Sequence, residues 1–191
     1  MSATGDVCPV GAGRKQELLA RVVELYEQDL AGAEPAQDFL AAHKLNDGAL
    51  LSRCRVGWSA GRLKKRLPRK GKLPEELLAL GLLTANGKEY FKGCLVLPAI
   101  DAAGVIQSLC GIRVADGTEL LLPSEEPFLW RTPGLPATAE LTICRGVLDG
   151  LSLLAAGIES AAAVVAGGIA PFRELTCNYR MLLPCNAARP N

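Results

Sequence analysis

The spacing of apolar residues changes twice along this chain of 191 residues, and these changes constrain its fold more than any other feature. Between positions 15 and 54 apolar residues recur at helical spacing, which predicts short amphipathic helices. From position 94 to 122 the pattern predicts strands joined by tight turns, with Asp116-Gly117 as the strongest hairpin signal. After position 139 a short apolar strand, a helix and a second apolar strand follow, which predicts a parallel βαβ unit. We therefore predict an α+β fold.

The same patterns divide the chain into five stretches. Residues 1–13 are interpreted as a flexible lead, and 14–122 as a helical unit followed by a small antiparallel sheet. Four prolines in 123–138 favour a linker, and 139–172 carries the incomplete βαβ unit. Residues 173–191 show no sustained periodicity, so we expect a tail that is poorly ordered or loosely docked.

Composition excludes several function classes. An apolar content of 49% excludes wholesale disorder, and no uncharged run is long enough to cross a bilayer. Seven widely spaced cysteines without a CxxC pair, and no apolar leader before Leu18, favour the cytoplasm. With His43 alone, zinc clusters and Ser-His-Asp sites lack support. Four cysteines in apolar strings are expected in the core, namely Cys54, Cys94, Cys110 and Cys144.

Charge is strongly segregated along the chain although the net charge is only +1. Residues 48–72 contain nine Lys or Arg and no acid, and seven of these cations fall within 62–72. Residues 57–72, here called the basic segment, are interpreted as a basic loop. Crowded like charges repel unless a polyanion is near, which favours nucleic-acid contact over a merely solvated loop. Trp58 could stack on a base or pack beneath the loop.

Three segments in one order carry a family resemblance: Arg53-Cys-Arg-Val-Gly-Trp-Ser, then Phe91-Lys-Gly-Cys-Leu-Val-Leu-Pro-Ala-Ile-Asp, then Leu141-Thr-Ile-Cys-Arg-Gly-Val-Leu-Asp-Gly-Leu-Ser-Leu. Together they resemble the catalytic core of bacterial replicative primases, from about residue 24 to 172. The third segment is similar to the first motif of the Toprim domain. The resemblance therefore implies a primase N-terminal-like subdomain over 14–122 and a partial Toprim-like unit over 139–172.

The resemblance also implies a function in DNA replication, in a replicon or mobile element. Primases guide single-stranded template DNA over a basic groove and build RNA primers with Mg²⁺ held by Toprim carboxylates. The implied partners are single-stranded DNA or RNA, a replicative helicase, or a chain that supplies missing segments, and no membrane. The implied nucleic-acid-binding residues are Arg53, Arg55, Trp58, Arg62, Lys64, Lys65, Arg66, Arg69, Lys70, Lys72 and Arg113.

Departures from the family pattern concern the catalytic half. Arg145 stands where the Toprim Glu is expected, whereas Asp149 matches the second acid of the motif. The later Asp-x-Asp pair is missing, and Glu119-Leu120 replaces the Lys-Tyr that follows the hairpin. A lone carboxylate binds Mg²⁺ poorly. We therefore expect a truncated or degenerate relative that is inactive as this chain, with Mg²⁺ binding no better than millimolar.

Three functions stay open at this point. The first is a primase-type nucleotidyltransferase core, and the second is a non-enzymatic nucleic-acid-binding module. The third is an unrelated α/β enzyme that acts on a phosphorylated small molecule, suggested only by glycine-rich turns such as Ala166-Gly167-Gly168.

Overall fold

The computed structural model describes residues 10–66, 71–123, 128–136, 139–165 and 179–181. Helices and strands follow in the predicted order, with three helices first, an antiparallel sheet next and a second sheet last. The helices are α1 (Ala12–Leu30), α2 (Glu34–Ala42), α3 (Gly48–Arg53), α4 (Leu63–Arg66), α5 (Leu73–Ala79) and α6 (Val147–Ala155). The strands are β1 (Gly57–Trp58), β2 (Cys94–Ile100), β3 (Ile106–Arg113), β4 (Glu119–Leu121), β5 (Leu129–Arg131), β6 (Leu141–Cys144), β7 (Ala161–Val164) and β8 (Tyr179–Met181).

The helical unit forms as the apolar spacing predicts. Helix α1 buries one face, including Leu19, Val22 and Tyr26, against the first sheet. The side chain of Asp47 caps α3 by accepting a hydrogen bond from the Ala49 amide at 2.8 Å. Pro35 lies in the first turn of α2, where its missing N–H costs no hydrogen bond.

The first sheet has the strand order β1-β2-β3-β4 and is antiparallel throughout. Its last three strands form the predicted meander. Pro98 lies inside β2, but β1 pairs only with Leu95 and Val96, so one edge of Pro98 is free of ladder partners. A register shift follows between Ala99 and Ile100. The proline thus occupies an edge position beside an irregularity, as expected for a residue without an N–H.

The interpretation of 57–72 as a loop is wrong for part of its length. Gly57–Trp58 forms β1 and Leu63–Arg66 forms α4, with the side chain of Leu63 buried. Neither element was predicted, because each contains only one or two apolar residues among many charged ones. So few apolar residues show no periodicity.

The second sheet has the strand order β5-β7-β6-β8. Strands β6 and β7 are parallel and joined by α6, which confirms the predicted βαβ unit. Strand β5 pairs antiparallel with β7 and β8 pairs parallel with β6. Neither flanking strand was expected from the sequence: β5 lies within the presumed linker 123–138, and β8 lies within the presumed tail 173–191.

A shared apolar core explains why residues 128–136 of the presumed linker are structured. Trp130 of β5 is fully buried and belongs to the cluster that also contains Leu97 of β2 and Leu151 of α6. Gly150 of α6 leaves room for the indole, since a Cβ there would lie 3.1 Å from the Trp130 ring. The second sheet is therefore packed onto the first sheet through Trp130. Within the described residues, no helix is long and apolar enough to span a membrane.

Candidate nucleic-acid interface

A buried carboxylate anchors the basic segment to the first sheet. Glu89 is only 8% exposed, and it accepts hydrogen bonds from the Ser59 hydroxyl and, at 2.9 Å, from the Leu63 amide that begins α4. The Ser59 amide also donates to the Cys94 carbonyl at 3.0 Å, and the Gly93 amide donates to the Ser59 carbonyl at 2.8 Å. These hydrogen bonds hold the backbone of the basic segment, which carries the cations, in place.

Glycine is required where this segment crosses α1. A Cβ on Gly57 would lie 2.5 Å from the Cβ of Tyr26 and 2.6 Å from its carbonyl carbon. Nonbonded carbon atoms do not approach each other this closely, and the backbone of α1 cannot move aside as a flexible side chain would. The close approach places β1, and with it the start of the basic segment, directly on α1.

The structure divides the predicted cations into two groups, which the sequence did not reveal. In the first group, each guanidinium forms an ion pair with an acid of this same chain. The pairs are Arg53–Glu159 at 2.6 Å, Arg55–Glu27 at 2.9 Å, Arg66–Asp29 at 2.7 Å and Arg113–Asp116 at 3.2 Å. These four arginines stabilise contacts within the chain, and their charge is locally compensated.

The second group consists of exposed cations that do not form an ion pair with another described residue. Arg62, Lys64 and Lys65 are exposed and form no ion pair with any other described residue. Lys72 is also exposed, and Glu76 lies near it: the hydrogen bond from Arg14 lowers the pKa of the Glu76 carboxyl, and the charge of Lys72 adds a smaller contribution. Arg69 and Lys70 lie outside the described residues. The uncompensated positive charge of the described segment is therefore centred on α4.

Trp58 lies on β1, paired with Leu95 of the central strand β2. Its side chain is half-buried and packs against the core cluster that contains Leu97. The indole thus supports the core cluster that contains Leu97, whereas Leu63 of α4 belongs to the other cluster, with Tyr26 of α1.

The turn between β6 and α6 holds the other predicted residues, and it is here called the Toprim-like turn after the sequence resemblance given above. Arg145 and Asp149 are both exposed, and no ion pair joins them. Glu119 of β4 was noted in the sequence only as a departure, yet its carboxylate reaches this turn. It accepts hydrogen bonds from the Val147 amide at 2.5 Å and the Leu148 amide at 3.3 Å.

Glu119 thereby occupies the positive end of α6, where amide groups would otherwise be open to an anion. Burial raises the pKa of its carboxyl, and the charge of Asp149 adds to that rise, whereas the two amides oppose it. A Cβ on Gly146 would lie 2.6 Å from the Glu119 Oε1, so a larger residue there would require this carboxylate to shift. The turn is thus filled by a carboxylate from within the chain.

The described residues around these sites form no cluster of metal ligands, and their cysteines are buried. Within the described ranges, no three His, Cys, Asp or Glu side chains are grouped as they would be around a metal ion. The four cysteines expected in the core are buried, as predicted. Burial raises the pKa of Cys54 to about 12 and that of Cys94 to about 11, so both thiols stay protonated near neutral pH.

Comparison by sequence identifies no relatives for this chain. No protein-family model matches it. No curated protein matches it either.

Comparison of structures gives a consistent answer for the fold. The E. coli primase catalytic core superposes with a TM-score of 0.70 at 20% identity, covering 87% of this chain and 61% of that one. A DnaG primase catalytic domain bound to ssDNA gives 0.68 at 18%, covering 87% and 62%. The RNA polymerase domain of Mycobacterium tuberculosis primase DnaG gives 0.67 at 20%, covering 90% and 65%. The chain therefore has the fold of a primase catalytic core, and it spans less than two thirds of each of these structures.

Proposed function

We propose that this chain binds single-stranded nucleic acid through the basic segment, as an element of DNA replication, and that it does not itself synthesise primers. The fold supports the first half of this proposal, since a catalytic domain of the same fold is known in complex with ssDNA. Template binding without polymerisation is the second of the three functions left open by the sequence.

The observation that carries the proposal is the cluster of uncompensated cations on α4. Arg62, Lys64 and Lys65 project from a segment that has no acid between positions 48 and 72. Two carboxylates outside the segment contact it: Glu89 is buried beneath it and is used by Ser59 and Leu63, and Asp29 pairs with Arg66. Phosphate groups would neutralise the exposed charges.

Charge at the Toprim-like turn supports the absence of catalysis. Phosphoryl transfer in this type of site needs several carboxylates that hold Mg²⁺ against the phosphate oxygens. Here the expected Glu is Arg145, and the sequence contains no Asp after Asp149. The nearest further carboxylate, Glu119, is committed to the amides of α6. A divalent cation would meet one free carboxylate and one guanidinium.

Salt-dependent binding of a single-stranded oligonucleotide tests the proposal. Wild type should bind with a log affinity that falls linearly with log salt, at about −0.7 per phosphate contact. The double variant Lys64→Ala/Lys65→Ala should bind all sequences about tenfold more weakly at low salt, with a slope shallower by about 1.4. Filter binding across a salt series measures both quantities.

A matched control tests whether weaker binding results from the loss of cations in the basic segment or only from a lower net charge. Arg21→Ala/Lys44→Asn also removes two exposed cations, and asparagine suits the positive φ of 58° at Lys44. This variant should bind as wild type does. Equal weakening by both double variants, or no change with either, would show that the basic segment is not the binding surface.

A further inference from the structure

The last residue of α4 binds through its side chain to the C-terminal half of α1. The Arg66 guanidinium donates through Nη1 to Asp29 Oδ1 at 2.7 Å and to the Leu25 carbonyl at 3.2 Å. Its Nη2 donates to Gln28 Oε1 at 2.5 Å. Three acceptors of one helix thus bind one guanidinium, and these contacts are here called the Arg66 clamp.

Helix α4 depends on contacts at both of its ends. It contains only four residues, and a helix this short is unstable by itself because nucleation costs more free energy than one turn of hydrogen bonds provides. At its first residue, the Leu63 amide donates to buried Glu89 at 2.9 Å, and the Leu63 side chain is buried. At its last residue, the Arg66 clamp holds it on α1. Lys64 and Lys65 lie between these two anchors, which therefore set the position of both exposed cations.

Arg66 differs from these two lysines in its charge environment. Its side chain is 31% exposed and that of Asp29 is 19% exposed, so salt and water screen this pair less than a fully exposed one. A phosphate group would compete with Asp29 for the Nη atoms. The planar fork of a guanidinium also suits several fixed acceptors better than an ammonium group does. The contacts of Arg66 are therefore those of an anchor within the chain.

We propose that Arg66 and Asp29 position α4 for nucleic-acid binding, and that Arg66 is not itself a ligand of phosphate. The inference rests on the proposed function, since it requires that Lys64 and Lys65 contact the phosphate backbone. With the clamp intact, α4 is ordered before the strand binds, so its ordering does not reduce the binding free energy. Without the clamp, the same phosphate contacts form, but α4 must become ordered during binding. Affinity then falls while the number of neutralised phosphates stays the same.

Binding of a single-stranded oligothymidylate across a salt series tests this proposal. Asp29→Asn removes a negative charge beside the basic segment, so charge alone would strengthen binding. A positioning role predicts the reverse, with binding about fivefold weaker at low salt and an unchanged slope against log salt. Arg66→Gln should weaken binding to the same extent with the same slope, whereas loss of a phosphate ligand would make the slope shallower by about 0.7. The double variant should bind no more weakly than either single one, because each substitution alone breaks the clamp.

Two control variants complete the design. Glu24→Gln also removes an acid from α1, but an exposed one that is not an acceptor of the Arg66 clamp, and it should not weaken binding. Arg66→Lys keeps the positive charge and loses the fork of donors, so it should bind nearly as weakly as Arg66→Gln. Each titration is made well below the unfolding temperature of the variant, measured by circular dichroism, so that a loss of global stability alone does not change the affinity.

The proposal is overturned if Asp29→Asn binds as tightly as wild type or more tightly, or if Arg66→Gln makes the salt slope shallower by about 0.7. Lys64→Ala/Lys65→Ala, titrated in parallel, distinguishes this failure from failure of the proposed function. If that variant binds as wild type does, the proposed function is wrong. If it binds more weakly while Asp29→Asn does not, only the positioning role is wrong.

Discussion

The basic segment and the Toprim-like turn are the two regions in which the sequence predicts functional residues, yet their electrostatics differ. In the basic segment an acid lies underneath, as buried Glu89, and the cations Lys64 and Lys65 are exposed and form no ion pair with another described residue. At the Toprim-like turn the arrangement is reversed, because a cation, Arg145, is exposed where an acid is expected and Glu119 reaches in from β4.

This difference bears on how well two functions, nucleic-acid binding and Mg²⁺ binding, tolerate divergence of the sequence. Binding a phosphate backbone requires positive charge density and little exact geometry, so a segment can keep it through many substitutions. Holding Mg²⁺ requires several oxygen ligands at set distances, and one change of sign removes it. The proposed function, binding without catalysis, follows from this difference in what the two sites require.

Trp130→Ala should have the largest effect on stability, about 4 kcal/mol, because it empties the core between the two sheets. Trp58→Ala, in the basic segment, should cost clearly less because Trp58 is only half-buried. Urea unfolding of both variants measures the contrast. Equal small losses would mean that β5 does not join the sheets and that 123–138 is the linker that the prolines suggest.

Gly57→Ala should follow, at about 3 kcal/mol, since its Cβ would meet backbone atoms of α1. Gly48→Ala is the matched control, because no atom lies within 4 Å of a Cβ there; it should be neutral or stabilising by about 0.5 kcal/mol. Thermal unfolding compares the two. An unaffected Gly57→Ala would contradict the close packing of β1 on α1.

Glu119→Ala should have the smallest effect, about 1 kcal/mol, through loss of the hydrogen bonds to α6. Asp149→Asn, in the first turn of the same helix, should cost only about 0.3 kcal/mol. Chemical denaturation at neutral pH compares them. If both cost the same, Glu119 does not hold the Toprim-like turn.

The pH dependence of Glu119→Gln sharpens this test. Burial raises the pKa of Glu119 in the folded protein, so ionisation of the carboxyl is disfavoured there. Its contribution to stability is therefore complete below the unfolded pKa and declines as the pH rises through the folded pKa. Relative to Glu119→Gln, wild type should gain stability as the pH falls from about 7 to about 4. A constant difference would contradict the raised pKa.

Much of the fold could be predicted from periodicity, and the two strands of the second sheet that were missed share one cause. The long helix α1 and the β2–β3 hairpin carry several apolar residues each, so their patterns are strong. Strands β5 and β8 contain three residues each and gain their stability from sheet partners far along the chain. Local sequence carries no signal for such pairing, and prolines around β5 pointed the other way.

The sequence predicted which cations belong to the candidate site, but it did not predict which of them form ion pairs. Sequence identified the cations of the basic segment, yet not that Glu27 and Asp29 of α1 would pair with Arg55 and Arg66. These partners are 28 and 37 residues apart in sequence, and only the packing of α1 on β1 brings them together. Glu119 escaped notice as a cap for the same reason.

Primer synthesis by the 191-residue chain, on a single-stranded DNA that it demonstrably binds, tests the central claim most directly. With nucleoside triphosphates and Mg²⁺ present, the chain should stay bound and yield no dinucleotide above a protein-free control. Arg145→Glu should not restore activity, because one added carboxylate still leaves the Asp-x-Asp pair absent. Mg²⁺-dependent dinucleotide formation by the unmodified chain would contradict the account, and so would failure to bind the DNA at all.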